Sequence, residues 1–437
     1  MTYRTPSQLY FPGCQRRKVE ASFSGGHVTS DGGVLLVRQA DRKTGLLAKV
    51  AQVLADPRRK KSCAHSLLSM VRQRVYGLTL GYEDLNDHDT LRADLALQTA
   101  VERDEPLASA PTLCRLENRT NRETAWAVHE VLVEHFIASH KRAPKELVLD
   151  FDATDDRVHG GQEGRFFHGY YDHYCFLPLY VFCGEQLLAA YLRPSKIDAA
   201  KHAGAILKHL VTRFRQRWPK VRIVLRADSG FCRHWVLGWC ERNGVKYIVG
   251  LARNKRLGAL AHPLLEHAER RFEQTAEKQR LFGEIRYAAN TWKRPRRVIV
   301  KAEHTNKGAN PRYVVTNIEG DPSHLYDALY CARGDMENRI KEQQLDLFAD
   351  RTSCHGWWAN QFRLLLASLA YTLLETIRRL GLKGTKLARA QCGTLRLKLL
   401  KVGAVIVRNT RRVRFLLSSA YPYQELFVTV AARLDTS

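Results

Sequence analysis

Three acidic residues of this chain have the spacing and the surroundings of a metal-ligand set. Asp152 and Asp228 each end an apolar, strand-like run, and Glu337 lies in a segment with helical periodicity. At ~100° per residue, Tyr330, Arg333 and Glu337 fall on one stripe of that predicted helix. A carboxylate framed by a tyrosine and an arginine is unusual for a simple solvated face. The pattern therefore favours three carboxylates that converge at one point.

The chemistry that such a set supports is phosphoryl transfer with divalent metal ions. Two cations about 4 Å apart can activate the attacking oxygen and stabilise the leaving oxygen of an in-line displacement. Mg²⁺ prefers oxygen ligands, and a nucleic-acid phosphate supplies part of its coordination shell, so few protein ligands are needed. We expect Mg²⁺ as the cofactor, with Mn²⁺ able to substitute. Taken singly, each acid could instead be a turn residue, a helix cap or a surface side chain.

The elements that must position these acids follow from apolar periodicity. The first part of the chain is predicted to be mostly helical, and the pattern changes to strands after residue 143. Strands are predicted at 146–152, 176–183, 187–193, 221–227 and 245–250, with helices at 199–217, 233–243 and 323–344. Strand-like runs at 282–288, 296–302 and 311–317 interrupt this order and predict a β-rich insertion. The predicted segments are 1–143, mostly helical; 144–254 with 319–380, mixed strands and helices; 255–318, the β-rich insertion; and 381–437, basic.

The charge of the chain points to a polyanionic partner. Seventy Lys and Arg residues against 44 Asp and Glu residues give a formal net charge of +26. Neutralising phosphates is the main source of non-specific affinity for DNA, so a nucleic acid is the simplest partner. We expect no membrane association, because no apolar run approaches the ~20 residues of a membrane span. Ten cysteines without a CxxC pair fit a cytoplasmic protein.

Two further motifs are candidate ligand sites. Gly160-Gly-Gln-Glu-Gly164 lacks the Gly-Lys-Ser/Thr ending of a P-loop, so no nucleotide cofactor is expected. The histidines at 159, 168 and 173 lie close in sequence but fit no metal-binding spacing. Structural or DNA-proximal roles are the favoured interpretation for these histidines.

Three short segments resemble the motifs of a known enzyme family. Asp152-Ala-Thr154, Asp228-Ser-Gly-Phe231 and Tyr330-x2-Arg333-x3-Glu337 are similar to the three motifs of bacterial insertion-sequence transposases of the DDE class. The resemblance covers most of the chain. It implies an α/β fold: an RNase H-like mixed sheet with a β-rich insertion before the catalytic Glu. A helical N-terminal domain would precede it, and a basic, largely helical C-terminal region would follow.

The resemblance also implies roles for individual residues. Asp152, Asp228 and Glu337 would be the catalytic metal ligands, while Tyr330 and Arg333 would contact DNA phosphate near the cleaved bond. The family places a lysine seven residues after the Glu, where this chain has Gln344, and Lys341 is the candidate replacement. Asp150 shares a strand face with Asp152 and is a rival for the first position. Asp152 is preferred because Asp-Ala-Thr matches the motif.

The insertion contains a second candidate DNA contact. Trp292 precedes four basic residues, Lys293, Arg294, Arg296 and Arg297. An aromatic ring beside cations can stack on an unpaired base, but a tryptophan packed between strands fits the same pattern. The sequence leaves these two alternatives open.

The resemblance implies a transposase that would cleave double-stranded DNA at its element's terminal inverted repeats and join the ends to target DNA. Two ends must be processed together, so a homodimer on DNA is expected, in the cytoplasm and associated with the nucleoid. One alternative is an RNase H-like nuclease without strand transfer. The other is a catalytically silent DNA-binding protein derived from a transposase.

Overall fold

The computed structural model describes residues 8–59 and 63–435. They form two compact units, one of residues up to Arg119 together with residues from Leu369, and one of Thr120–Ser368. Helix α7 thus belongs to the second unit, whereas the sequence placed its residues in the first domain. The N-terminal elements are β1 (Leu9–Cys14), β2 (Arg17–Ala21), β3 (Val28–Thr29), α1 (Val34–Thr44), α2 (Leu46–Val53), α3 (Leu67–Leu80), α4 (Asp87–Leu91), α5 (Leu95–Val101) and α6 (Ala110–Asn118).

The second unit is built around strands. Its first part comprises α7 (Arg122–Ser139), β4 (Glu146–Ala153), β5 (Asp156–Arg157), β6 (Phe166–His168), β7 (His173–Phe176), β8 (Leu179–Cys183), β9 (Gln186–Tyr191), α8 (Ala203–Arg217), β10 (Arg222–Ala227), α9 (His234–Arg242) and β11 (Lys246–Leu251). It continues with α10 (Lys255–Thr275), β12 (Gln279–Tyr287), β13 (Arg296–Thr305), β14 (Gly308–Ala309), β15 (Arg312–Thr316), α11 (Pro322–His324) and α12 (Gly334–Lys341). The remaining elements are α13 (Trp357–Thr376), α14 (Cys392–Leu395), β16 (Ala404–Arg408), β17 (Val413–Leu417) and α15 (Gln424–Leu434).

A mixed sheet forms the centre of the second unit. Its strand order is β12-β13-β15-β11-β10-β4-β8-β9, with β14 paired to β13. Strand β10 is parallel to both β4 and β11, and the other neighbours are antiparallel. This is the mixed α/β sheet that the RNase H-like fold class predicts, and it confirms that prediction. The strands of the insertion extend the same sheet through the pairing of β15 with β11.

Helices cover both faces of this sheet. The larger core contains apolar residues of α7, α8, α9 and α10 together with Leu149, Leu225 and Val249 from the strands. The opposite face packs Val224 and Ile248 against the helical segment that begins at α11. Because side chains alternate along a strand, Asp150 and Asp152 lie on the second face, the face of that helical segment.

The long helix predicted at 323–344 is present with irregular turns. After α11 the chain forms wide, π-type turns at Leu325–Tyr330 and again at Glu342–Asp346, on either side of α12. Such turns rotate the side chains around them and are frequent at functional sites. Here they flank the segment that carries Arg333 and Glu337.

Two parts of the chain differ from the sequence-based expectations. The insertion begins with a 21-residue helix, α10, and is therefore not purely β. The C-terminal region contains an antiparallel hairpin of β16 and β17, to which β3 adds a third strand. Within the described residues, no helix has both the length and the apolar composition needed to cross a bilayer.

Candidate active site

Two of the predicted acids lie at the ends of neighbouring parallel strands. The register of β4 with β10 pairs Phe151 with Ala227. Asp152 is the next residue of β4, and Asp228 is the first residue after β10. The carboxyl ends of parallel strands meet at one edge of a sheet, which brings side chains from distant positions together. Asp228 also begins the following turn, because its Oδ1 accepts a hydrogen bond of 2.9 Å from the Gly230 amide.

Arg333 connects the strands to the helix that carries the third acid. Its Nη1 lies 3.0 Å from Asp152 Oδ2, and its Nη2 lies 2.5 Å from Glu337 Oε1. Arg333 and Glu337 are four residues apart, so they face the same side of the helix. The guanidinium therefore lies between a carboxylate of the sheet and a carboxylate of the helix.

The charges of the three acids affect one another. Burial raises the pKa of Asp152 to about 7, although the positive charge of Arg333 acts to lower it. The negative charges of Asp228 and Glu337 add to the increase. The three carboxylates repel one another, and the positive charge of Arg333 neutralises only part of their negative charge.

Gly250 permits the close approach of Tyr330 to this site. A Cβ atom at Gly250 would lie 2.6 Å from the Tyr330 hydroxyl oxygen and 2.9 Å from the Ser229 amide nitrogen. Any side chain at position 250 would displace the tyrosine or the turn that follows Asp228. Gly250 was not among the predicted site residues, although a lone glycine within an apolar strand is a known signal of close backbone approach.

The donor atoms suit a divalent cation, but they are not arranged as a metal cage. In the two described ranges, no group of three or more His, Cys, Asp or Glu side chains has the geometry to hold a metal ion. At the three acids, the guanidinium of Arg333 lies between Asp152 and Glu337. Carboxylate oxygens are the ligands that Mg²⁺ prefers, so the chemistry of the donor set fits such an ion.

Comparison with known proteins decides the family. The sequence model described as "Transposase DDE domain group 1" matches residues 11–437. The chain belongs to this family. It is a transposase, an enzyme of DNA cleavage and strand transfer.

The other two comparisons add little to this assignment. No curated protein matches the sequence of the transposase. Its fold is similar to a solved piggyBac transposase synaptic complex with hairpin DNA, with 9% identity and a TM-score of 0.43. That similarity covers 85% of this chain and 80% of the other. None of the comparisons supports a nuclease that does not join DNA or a silent DNA-binding protein.

Asp150, the rival for the first acidic position, has a structural role in the transposase. It is 2% exposed, and the Arg226 guanidinium donates to both of its carboxylate oxygens, with 2.7 Å between Nη2 and Oδ2. Arg226 Nη1 also donates to the Leu329 carbonyl oxygen at 2.6 Å. This pair ties two neighbouring strands to the helical segment, and it leaves Asp152 as the acid beside Arg333.

After Glu337, Gln344 is bonded within the protein, whereas Lys341 faces solvent. Gln344 Nε2 donates to the Asp155 carbonyl oxygen at 3.0 Å and to Asp156 Oδ1 at 2.8 Å. Asp156 is fully buried, and burial raises its pKa well above the usual range. Gln344 thus supports the segment after β4 from the position at which the family resemblance predicts a lysine. Lys341 is exposed and stays the candidate for a basic contact to DNA.

Most of the candidate DNA contacts in the insertion are occupied by the protein itself. Trp292 is 9% exposed and packs edge-to-face against Tyr287, with the Arg296 guanidinium 4.9 Å from its ring centre. Of the two alternatives, this geometry favours packing in the core over stacking on a base. Arg294 and Arg296 pair with Glu241, and Arg297 pairs with Glu284, whereas Lys293 is exposed.

The basic C-terminal region also divides into internal and exposed cations. Arg378 is 1% exposed, and Arg396 donates to carbonyl oxygens at the end of α3. Lys401 pairs with Asp31. The turn between β16 and β17 instead presents Arg411 and Arg412 to solvent. Sequence alone could not separate these two classes, because every cation contributes equally to a charge count.

Proposed function

We propose that Asp152, Asp228 and Glu337 hold the divalent metal ions of this transposase, with Mg²⁺ as the natural ion and Mn²⁺ as a substitute. The observation that supports this proposal is the Arg333 guanidinium, which pairs with Asp152 of β4 and Glu337 of α12, while Asp228 directly follows β10, the strand next to β4. The electrostatics of Asp152 support the proposal: burial is the main cause of its raised pKa, and the charges of Asp228 and Glu337 add to the increase, as expected for neighbouring acids.

When bound, the ions would activate the attacking oxygen and stabilise the leaving oxygen at the cleaved phosphate. The protein residues contribute position and charge. Asp152 and Asp228 are held by the ends of two strands, and Glu337 is held by the helix. Arg333 pairs with Asp152 and Glu337 and, in this proposal, turns to a DNA phosphate when the metal ions and DNA bind. The Tyr330 hydroxyl, which lies near the turn after Asp228, would donate to the same phosphate group.

The DNA partner is proposed to be double-stranded DNA, both the terminal inverted repeats and the target. The excess of positive charge, +26 in all, favours such a partner. The helical N-terminal region, residues 1–143, is the proposed reader of the repeats. A homodimer on DNA would bring two ends together, and the site of action would be the cytoplasm near the nucleoid.

An assay of cleavage and joining tests this proposal. The purified protein is incubated with duplex DNA that carries the ends flanking its gene, with Mg²⁺, with Mn²⁺ or with EDTA. We expect nicks and joined products with either ion, none with EDTA, and a protein–DNA complex that contains two 50.0 kDa chains. Products in EDTA, or a complex with one chain that still joins both ends, would contradict the proposal.

The exposed arginines of the β16–β17 turn provide a test of phosphate contacts. Replacing Arg411 and Arg412 by alanine should weaken binding to all DNA sequences. Each lost phosphate contact should reduce the slope of log affinity against log salt by about 0.9. Filter binding or fluorescence anisotropy over a range of salt concentrations measures this. Replacement of both by lysine, which retains the charge, is the matched control, and an unchanged slope in the alanine variant would exclude the contact.

A further inference from the structure

A small sheet beside the active site exposes an unusual number of aromatic rings. Strands β5, β7 and β6 form it in that order, and its first strand begins four residues after Asp152. The exposed fractions are 38% for Phe166, 54% for Phe167, 85% for Tyr170 and 47% for Tyr174. Exposed apolar surface of this kind marks a binding site more often than a plain solvated face.

Basic side chains alternate with these rings on both faces of the sheet. On one face Phe167 packs edge-to-face with Tyr174 at 5.6 Å, and the Arg165 guanidinium lies 4.8 Å from the Tyr174 ring. On the other, the Lys196 ammonium lies 5.5 Å from the Phe166 ring. Arg157, on β5, is exposed. Aromatic rings supply stacking surface, and neighbouring cations supply charge for a phosphate backbone.

Specific contacts tie this sheet to the segment that follows Asp152. His173 Nε2 lies 2.8 Å from Asp155 Oδ2, three residues after Asp152. The Tyr171 ring stands between His168 and His173, with ring centres 4.8 and 6.0 Å away. Burial raises the pKa of Tyr171 to about 12, and the charges of Asp155 and Asp152 contribute to that rise. The His173–Asp155 pair therefore ties the aromatic surface to the segment that directly follows Asp152.

We propose that this aromatic sheet, residues 156–176, binds unpaired nucleotides of the DNA strand whose phosphate lies at Asp152, Asp228 and Glu337. This inference rests on the proposed function, because it takes those acids as the place of cleavage. Bases separated from their partners near a cut end have free π-faces. Four exposed rings accept them, and Arg157, Arg165 and Lys196 face the backbone charge. Stacking of this kind tolerates any sequence.

Single-strand binding without metal tests the inference separately from cleavage. The probe is a labelled oligonucleotide of about 12 nucleotides, within the usual site size, with EDTA present, read by fluorescence anisotropy. A strand of equal length whose bases are absent, and a duplex, are the comparison probes. Phe167→Ala with Tyr170→Ala should weaken binding to the single strand about tenfold or more. Binding to the duplex and to the baseless strand should not change.

Tyr170→Phe is the matched control, since it keeps the ring and should bind as the wild type does. Equal single-strand affinity of the wild type and the double alanine variant would overturn the inference, as would an equal loss on all three probes. If the alanine variant instead changes the oligomeric mass without DNA, the surface is a protein interface and the inference fails. Asp228→Asn should bind the single strand as tightly as the wild type does. Because this binding is measured without metal, the test of the aromatic sheet can be interpreted even if the metal ligands are assigned wrongly.

Discussion

Asp228→Asn is expected to abolish DNA cleavage while it leaves DNA binding and folding intact. The substitution removes a proposed metal ligand, and loss of several kcal/mol of transition-state stabilisation corresponds to about 10³-fold in rate. Asparagine retains an oxygen that can accept from the Gly230 amide, so the turn after β10 should persist. Single-turnover cleavage, duplex affinity and the melting temperature measure the three quantities.

Asp150→Asn is the matched control for this variant. It changes the same kind of side chain on the same strand face as Asp152, but it weakens a buried pair with Arg226. Breaking a buried ion pair costs about 3–5 kcal/mol of stability, so this variant should melt earlier while its folded fraction still cleaves. Normal cleavage by Asp228→Asn, or a stable but inactive Asp150→Asn, would show that the acids are assigned wrongly.

Arg333→Ala is expected to separate metal binding from catalysis. The guanidinium pairs with Asp152 and Glu337, so its removal frees two carboxylates and should tighten Mn²⁺ binding severalfold in the absence of DNA. Cleavage should fall by about 10²-fold or more, because the charge proposed to face the DNA phosphate is lost. Calorimetry with Mn²⁺ and single-turnover cleavage give the two values.

Arg333→Lys completes this comparison. Lysine retains the positive charge but lacks the planar guanidinium that reaches both carboxylates at once. The Mn²⁺ affinity and the cleavage rate of this variant should therefore lie between those of the wild type and the alanine variant. A parallel loss of metal binding and cleavage in Arg333→Ala would mean that the arginine organises the acids and has no separate role toward DNA.

Periodicity predicted the strands around the acids well, because those strands are apolar and end at turn residues. The 146–152 and 221–227 runs became β4 and β10 within one residue at each end. Pairings between distant segments, such as β15 with β11, depend on tertiary contacts that periodicity does not contain. The joining of the insertion to the central sheet could therefore not be predicted.

Helix α10 was missed although its sequence carries a start signal. Asn254 caps it by accepting from the Leu257 amide at 2.9 Å, and Leu257, Ala261 and Ala268 form its buried stripe. Pro263 and Gly258 weaken the helical pattern, and the strand-like runs that follow drew the whole segment toward a β interpretation. The burial of the Trp292 ring could not be predicted either, because it depends on contacts that form only in the folded sheet.

The central claim is that the three acids bind the metal ions that serve cleavage. The most direct measurement is an anomalous difference map from crystals of the protein with its DNA end and Mn²⁺. We expect Mn²⁺ peaks within coordination distance of Asp152, Asp228 and Glu337, with Arg333 turned away from the two acids it pairs with. Mn²⁺ bound elsewhere, with Arg333 still between Asp152 and Glu337 in a complex competent for cleavage, would contradict it.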